Sequence, residues 1–154
     1  MSAMFLGANR FNQNIGEWDT SAVTDMNIMF LAAKSFDKDL GDWDTSAVTD
    51  MTEMFSQGSL FNQDIGNWNA AKVTSMRGMF TFAYTFNQNI GRWNTAEVTS
   101  MREMFYLAGS FNQDNLCAWK DVNVLTDKFQ MFYETSCPQA DTPSGDFFCR
   151  ECVV

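Results

Sequence analysis

The sequence predicts an α/β repeat protein: a right-handed solenoid of about five 25-residue turns, each with one short strand and one short helix, followed by a cysteine-rich C-terminal cap. The first observation is a phenylalanine that recurs every 25 residues, at Phe11, Phe36, Phe61, Phe86 and Phe111. The second is a tryptophan column with the same spacing and a last member one residue late, at Trp18, Trp43, Trp68, Trp93 and Trp119. The third is a pair of methionine columns that start at Met26 and Met29. A fixed period of this kind is typical of proteins that bury apolar faces by stacking repeated units.

A short strand is predicted at Glu17–Thr20 and at the equivalent place in every turn. Trp18 and Thr20 alternate with Glu17 and Asp19, and a period of two over a short span indicates extended backbone. Tryptophan and threonine also fit a pleated surface. Strands of successive turns would then pair in parallel, about 4.8 Å apart.

A short helix, for example Met26–Ala33, is predicted to follow the strand. Its apolar residues have the spacing of one helical face: Val23, Met26, Met29, Phe30 and Ala33. Asp50 precedes Glu53 and Ser100 precedes Glu103 in the form of a capping box. One strand and one helix in each unit make the predicted solenoid leucine-rich-repeat-like. The methionine and tryptophan columns are assigned to its core, rather than to copper ligation or to a platform for sugars.

The repeats are assigned to residues 1–136 and the cap to residues 137–154. Met4 and Phe5 precede Met29 and Phe30 by one period, so the sequence opens within a repeat. The cap segment contains both prolines of the chain, Pro138 and Pro143, and three of the four cysteines. A terminal unit that departs from the pattern is expected in a stacked array, because it has to cover the last apolar face.

The four cysteines, Cys117, Cys137, Cys149 and Cys152, have two interpretations. An even number in a segment with little core of its own favours disulfides, of which three pairings are open. The CxxC spacing of Cys149 and Cys152 leaves a zinc site as the alternative.

Composition argues against several classes of function. The 154 residues include no histidine, which removes histidine-based catalytic sites. Lys and Arg number 10 against 19 Asp and Glu, and the net charge of −9 opposes binding to nucleic acid or to an anionic membrane. No apolar run approaches the roughly 18 residues of a membrane span, and no secretion signal is visible. We therefore expect a protein that is not an enzyme, needs no cofactor and does not insert into membranes.

Three segments carry a resemblance to a known family: FNQNIGEWDTSAVTDMNIMF, FNQDIGNWNAAKVTSMRGMF and FNQNIGRWNTAEVTSMREMF. They resemble the bacterial surface protein repeat found also in Mycoplasma-type lipoproteins, which is similar to the BspA-like leucine-rich repeats. The resemblance extends over about Met4 to Phe132. It implies an extracellular, surface-displayed repeat protein without catalytic residues, whose role is adhesion or is unknown.

The candidate binding face lies on the outward positions of the predicted strands, because the apolar columns are needed for the fold. One outward column comprises Glu17, Asp42, Asn67 and Arg92, and the next comprises Asp19, Asp44, Asn69 and Asn94. The four carboxylates of the first two turns are a weak candidate site for calcium, and a solvated acidic face is the favoured alternative.

Two further polar columns are assigned to the fold rather than to a ligand. Asparagine or aspartate recurs at Asn12, Asp37, Asn62, Asn87 and Asn112, where it is predicted to bond backbone groups as a ladder. Threonine recurs at Thr24, Thr49, Thr74, Thr99 and Thr126, where a role in the turn is favoured over an ice-binding surface.

Two functions fit these observations. The first is an extracellular or cell-surface recognition or adhesion module that binds a protein or a glycan on its strand face. The second is a structural subunit that assembles end to end into a fibre or surface layer. In the second case the N-terminal edge would be the contact, because the first predicted strand has no partner on its outer side.

Overall fold

The computed structural model describes residues 1–119, 126–138, 142–143 and 148–149. Their one regular element is a short 3₁₀-helix, Asp114–Trp119, and successive repeats are joined by isolated parallel bridges: Asp25 to Asp50, Asp50 to Ser75, Ser75 to Ser100 and Ser100 to Asp127. The predicted α/β, leucine-rich-repeat-like solenoid is therefore wrong, since these residues form no α-helix and no sheet. They also include no helix with the length and apolar character that a membrane crossing requires. The chain consists instead of consecutive tight turns, with each repeat stacked on the one before it.

The segment predicted as the helix Met26–Ala33 is a run of such turns. The amide of Met29 donates to the carbonyl of Met26 at 3.2 Å, three residues back rather than the four of an α-helix. Ile28 and Ala32 have φ angles of 48° and 60°, in the left-handed region, which interrupts any helical hydrogen-bond pattern. The apolar residues whose spacing suggested a helix are nevertheless buried, because these turns also direct the two methionine columns inward.

Left-handed backbone recurs at two positions in each repeat, and most of these residues are not glycine. They are Ala3, Ile28, Ala32, Glu53, Gln57, Phe82, Glu103, Leu107, Gln130 and Glu134, with Gly7 and Gly78. This conformation costs an L-residue roughly 1–2 kcal/mol. Hydrogen bonds to the next repeat offset the cost: the amide of Ile28 donates to the carbonyl of Thr52 at 2.8 Å, and that of Gln57 to Thr81 at 2.7 Å. The backbone of one repeat is thus stabilised by its neighbour.

The segment predicted as the strand Glu17–Thr20 forms no ladder with its neighbours. The expected alternation is present in the interior repeats, where Trp43 is buried and Asp42 is exposed. However, within the described residues no backbone hydrogen bond links this segment to its equivalent in the next repeat. A side chain makes the link instead, since the Trp68 indole N–H donates to the carbonyl of Leu40 at 2.9 Å. The alternation in the sequence therefore reports which side chains are buried, and it does not lead to pairing of the backbone.

Three columns of stacked rings form the core. In the first, ring centroids of successive repeats are 5.4 to 5.7 Å apart: Phe30, Phe55, Phe80, Phe105 and Phe132. The second column comprises Phe36, Phe61, Phe86 and Phe111, and the third comprises Trp43, Trp68, Trp93 and Trp119. Met26, Met29 and their equivalents up to Met104 are fully buried beside them. The core assignment of the methionines and tryptophans is confirmed except at Trp18, which lies at the end of the stack.

Polar ladders run parallel to the core. The side-chain oxygen of Asn62 accepts the amide of Asn87 at 2.9 Å, and that of Asp37 accepts the amide of Asn62 at 3.1 Å. The predicted ladder is confirmed, and aspartate substitutes for asparagine because only the oxygen is used. The Thr74 hydroxyl donates to the carbonyl of Thr49 at 3.1 Å, so the threonine column also joins repeats.

The glycine column allows two repeats to approach closely. A Cβ atom added to Gly16 would lie 2.8 Å from the carbonyl oxygen of Asp39, and one added to Gly66 would overlap the carbonyl oxygen of Asn89. Real Cβ atoms do not approach backbone oxygens this closely. A side chain at this column would therefore push successive repeats apart.

The C-terminal segment contains the disulfide Cys137–Cys149. Cys117 is disulfide-bonded as well, and Cys152 lies outside the described residues. The prediction of disulfides is confirmed for these three cysteines. The zinc alternative is not supported, because zinc binds thiolates and a sulfur atom in a disulfide is not one.

The repeat register slips by one residue before the last tryptophan, with a visible cost. Trp119 stacks on Trp93 at 6.4 Å, but its buried indole N–H has no hydrogen-bond partner within the described residues. Lys128 occupies the place of a core methionine, and burial lowers the pKa of its ammonium group. That ammonium lies 5.3 Å from the centre of the Phe148 ring, which partly replaces the lost solvation.

Candidate binding site

The first predicted outward column lies on the surface as expected. Glu17 and Asp42 are exposed and line a shallow polar groove of about 190 Å³. Asn67 and Arg92 line an equivalent groove of about 180 Å³ two repeats further along. Both grooves are depressions between consecutive repeats beside the glycine column. They are small, and the repeat itself generates them.

The second predicted column is exposed but has a structural task. Asp19 and Asp44 each accept the backbone amide two residues later, at 3.0 and 2.9 Å, as asparagine does at Asn69 and Asn94. The pKa of the Asp19 carboxyl is lowered by two hydrogen bonds from Ser21, chiefly the one from its side chain and to a smaller extent the one from its backbone amide. These side chains close turns, so they are poorly available to a ligand.

The acidic residues of the first two turns do not converge. Within the residues that the structure describes, no three Asp, Glu, Cys or His side chains are grouped so that they could hold a metal ion. The calcium candidate formed by Glu17, Asp19, Asp42 and Asp44 therefore has no geometric support. The favoured alternative, a solvated acidic face, agrees with their exposure.

A larger groove lies on a different face, which we call the aromatic groove. It has a volume of about 410 Å³ and is lined by Lys34, Gln57, Ser59, Phe82 and Tyr84. Its size falls within the range of small-molecule sites in proteins. It combines two aromatic rings with an ammonium, an amide and a hydroxyl group, whereas the other two grooves are polar.

The aromatic groove is built from two columns of three consecutive repeats. Lys34, Ser59 and Tyr84 occupy one column, while Gln57 and Phe82 occupy the column two positions earlier. Unlike the core columns, these two columns change residue type in every repeat. The repeats therefore supply a uniform scaffold on which different side chains are juxtaposed.

Hydrogen bonds between repeats hold the walls of the groove. The Thr85 hydroxyl donates to the carbonyl of Ser59 at 3.0 Å, which ties the third repeat to the second. The amide of Ser110 donates to the carbonyl of Tyr84 at 3.2 Å, and that of Phe82 to Tyr106 at 2.9 Å, which ties it to the fourth. The backbone behind the two rings is thus fixed on both sides.

The aromatic rings of the groove differ in packing from those of the core. Phe82 meets Tyr84 at 6.2 Å with an interplanar angle of 67°, and Tyr106 at 5.9 Å with an angle of 78°. Tyr84 is 51% exposed, and Phe82 is half-buried. In contrast to the core rings, neither is enclosed in a parallel stack.

Sequence reasoning missed this groove because it sought the ligand face only on the predicted strands. The available signal was the position of the aromatic residues. All three tyrosines, Tyr84, Tyr106 and Tyr133, and also Phe82, lie outside the repeating aromatic columns. An aromatic residue that the core does not require is a candidate for recognition.

A second apolar surface lies at the end of the array formed by the first repeat, which we call the N-terminal face. Trp18 is 40% exposed there, against 3% for its equivalent Trp43. Met4 and Leu6 are exposed at the same end, and Phe11 is partly buried. In the interior the equivalent surface is covered by another repeat.

Comparison with known proteins gives a family but no characterised relative. The family model for a Mycoplasma protein of unknown function, DUF285, matches residues 1–71 and 39–144, which together span most of the chain. No curated protein and no solved structure matches.

Proposed function

The chain belongs to the Mycoplasma protein family of unknown function DUF285, and we propose that it is a non-enzymatic recognition or adhesion module that binds its partner in the aromatic groove. The proposal places the protein outside the cell or at the cell surface, as the sequence resemblance implies. A relation to the BspA-like leucine-rich repeats stays a hypothesis based on the sequence motif. That hypothesis does not include the strand and helix of a leucine-rich repeat, because the described residues of this chain form neither a sheet nor an α-helix.

The observation that carries the proposal is that the half-buried ring of Phe82 and the exposed ring of Tyr84 lie beside polar side chains with few partners. Within the described residues, the structure shows no hydrogen bond from the Tyr84 hydroxyl or the side-chain amide of Gln57 and no ion pair of Lys34. The Ser59 hydroxyl donates to the carbonyl of Lys34 at 3.4 Å. Binding sites typically combine accessible aromatic rings with a few polar groups of this kind. The described lining includes no carboxylate and no cysteine, which favours binding over acid–base or nucleophilic chemistry.

Binding to printed arrays of glycans and of peptides tests the recognition function. We expect the labelled protein to bind at least one array feature, and Tyr84→Ala to abolish that binding. The matched control is Asp42→Asn with Arg92→Gln, which alters the outward column and should leave binding unchanged. Loss of binding in the control, with retention in Tyr84→Ala, would instead assign recognition to the outward column predicted from sequence.

The second candidate function is end-to-end assembly, in which the N-terminal face of this chain would be the contact. A Trp18 side chain left 40% exposed is an apolar surface that a second copy of the chain could cover. The net charge of −9 opposes such contact through repulsion between copies. Physiological salt screens the repulsion between exposed charges that are more than about 8 Å apart. We therefore expect weak self-association that increases with salt.

Sedimentation at several protein concentrations, in low and high salt, tests assembly. Trp18→Asp should keep the protein monomeric under all conditions, whereas Tyr84→Ala should not affect association. Association that decreases as salt rises, or that persists unchanged in Trp18→Asp, would exclude the N-terminal face as the contact.

A further inference from the structure

We propose that the ligand of the aromatic groove is a sugar ring that carries a single carboxylate, such as a uronic or sialic acid residue of a glycan. The proposal rests on the recognition function proposed above and specifies its ligand class. Three properties of the groove support it: the packing of its rings, the engagement of its backbone and its charge.

The two aromatic rings suit the face of a sugar ring. A pyranose presents a face of C–H groups, and the electron-rich face of an aromatic ring attracts such groups. Phe82 and Tyr84 are partly exposed, and their planes are inclined by 67°, so they form two walls rather than one flat patch. The side-chain amide of Gln57 and the Tyr84 hydroxyl lie around them and can exchange hydrogen bonds with sugar hydroxyls, and the Ser59 hydroxyl, which donates to the carbonyl of Lys34, can accept one.

The backbone at the groove disfavours a peptide as the ligand. A bound peptide strand gains affinity from main-chain hydrogen bonds to a free edge. Here the amide of Gln57 donates to Thr81 at 2.7 Å, and the amide of Phe82 donates to Tyr106 at 2.9 Å. These groups join repeats and are not available, so recognition depends on side chains.

The charge of the groove indicates one carboxylate on the ligand. Lys34 is exposed and is the cation of the groove, and it forms no ion pair with the rest of the described chain. The protein as a whole carries a net charge of −9, which repels densely charged polyanions. A single carboxylate placed against Lys34 gains the local attraction with the least general repulsion.

Calorimetric titration with three probes that carry one carboxylate each tests the proposal: a methyl glucuronide, a methyl galacturonide and sialyllactose. Each probe is compared with its neutral methyl ester. We expect at least one probe to bind, and its ester to bind about two- to fivefold more weakly, which lies within the range of an exposed ion pair. Lys34→Gln should remove the difference between acid and ester, and Lys34→Arg should restore it.

The variants at Tyr84 distinguish the site from the ligand class. Tyr84→Ala should abolish binding of acid and ester alike, and Tyr84→Phe should keep most of it; the side chain is exposed, so thermal unfolding should not change. If no probe binds, or if acid and ester bind equally, the carboxylated-sugar proposal is overturned. An acidic hexapeptide that binds in a Tyr84-dependent manner would overturn it and keep the recognition function. No Tyr84-dependent binding of any sugar or peptide probe would overturn both.

Discussion

Truncation of Trp68 should show how strongly one repeat depends on its neighbours. Trp68 is only 3% exposed and is stacked between Trp43 at 6.4 Å and Trp93 at 6.3 Å. Replacing a buried tryptophan by alanine costs about 3–5 kcal/mol. The change also leaves the buried carbonyl of Leu40 without its donor, which adds about 1–3 kcal/mol. We therefore expect Trp68→Ala to lower the free energy of unfolding by about 4 kcal/mol or more.

Trp18 provides a matched control because it occupies the same column. It is 40% exposed, it contacts Phe5 at 5.9 Å, and no stacking on Trp43 or hydrogen bond from its indole is seen within the described residues. Trp18→Ala should therefore cost only about 1–2 kcal/mol. Asn67→Ala, at an exposed position beside Trp68, should cost less than about 0.5 kcal/mol.

Urea titration followed by circular dichroism measures these differences, because the unfolding free energy falls linearly with denaturant. Trp68→Phe separates the two contributions: it keeps an aromatic ring in the column and removes the indole N–H. We expect it to cost more than Asn67→Ala and less than Trp68→Ala. Equal costs for Trp18→Ala and Trp68→Ala would refute the idea that stacking between repeats stabilises the fold.

Three further predictions concern the backbone and the turns. Ala32→Gly should raise the unfolding free energy by about 0.5–1 kcal/mol because glycine adopts φ of 60° without strain, whereas Ala33→Gly, at a buried position outside the left-handed set, should lower it by about 1 kcal/mol. Urea titration compares the two variants, and a loss of stability in Ala32→Gly as large as that in Ala33→Gly would contradict the strain argument. Gly66→Ala should lower the melting temperature because its Cβ would overlap a carbonyl of the next repeat. Gly109→Ala, with open space around the new Cβ, should leave it unchanged. Equal melting temperatures of the two variants would contradict the close approach of successive repeats at Gly66. Asp44→Asn should preserve its turn, and Asp44→Ala should not. The pKa of Asp44 is lowered in the folded state, chiefly by its hydrogen bond from the Ser46 side chain. Its contribution to the unfolding free energy is therefore present above the unfolded pKa near 3.8 and is lost as the pH falls below that value. A stability difference between wild type and Asp44→Asn that stays the same in acid would contradict this.

The repeat period and the core could be read from the sequence alone. Residues such as Phe55 and Met54 recur at fixed spacing because each repeat must present the same apolar surface to the next, and periodicity in sequence directly records that need. The ladder of asparagines was predictable for the same reason. The disulfide at Cys137 was predictable from cysteine number, but its pairing was not, because pairing depends on which sulfurs the fold brings together.

The local conformation and the groove were decided by tertiary structure. Spacings of three and four suit both a helix and a run of tight turns, and nothing local to Ile28 favours a φ of 48°. That angle is stabilised by a hydrogen bond to a residue 24 positions later, which only stacking supplies. The predicted strand failed in the same way, since the link between repeats at this place is the indole hydrogen bond from Trp68 to Leu40, which needs two repeats together. The aromatic groove likewise depends on stacking, because Lys34 and Tyr84 are 50 residues apart in sequence and share one surface only when three repeats lie in register.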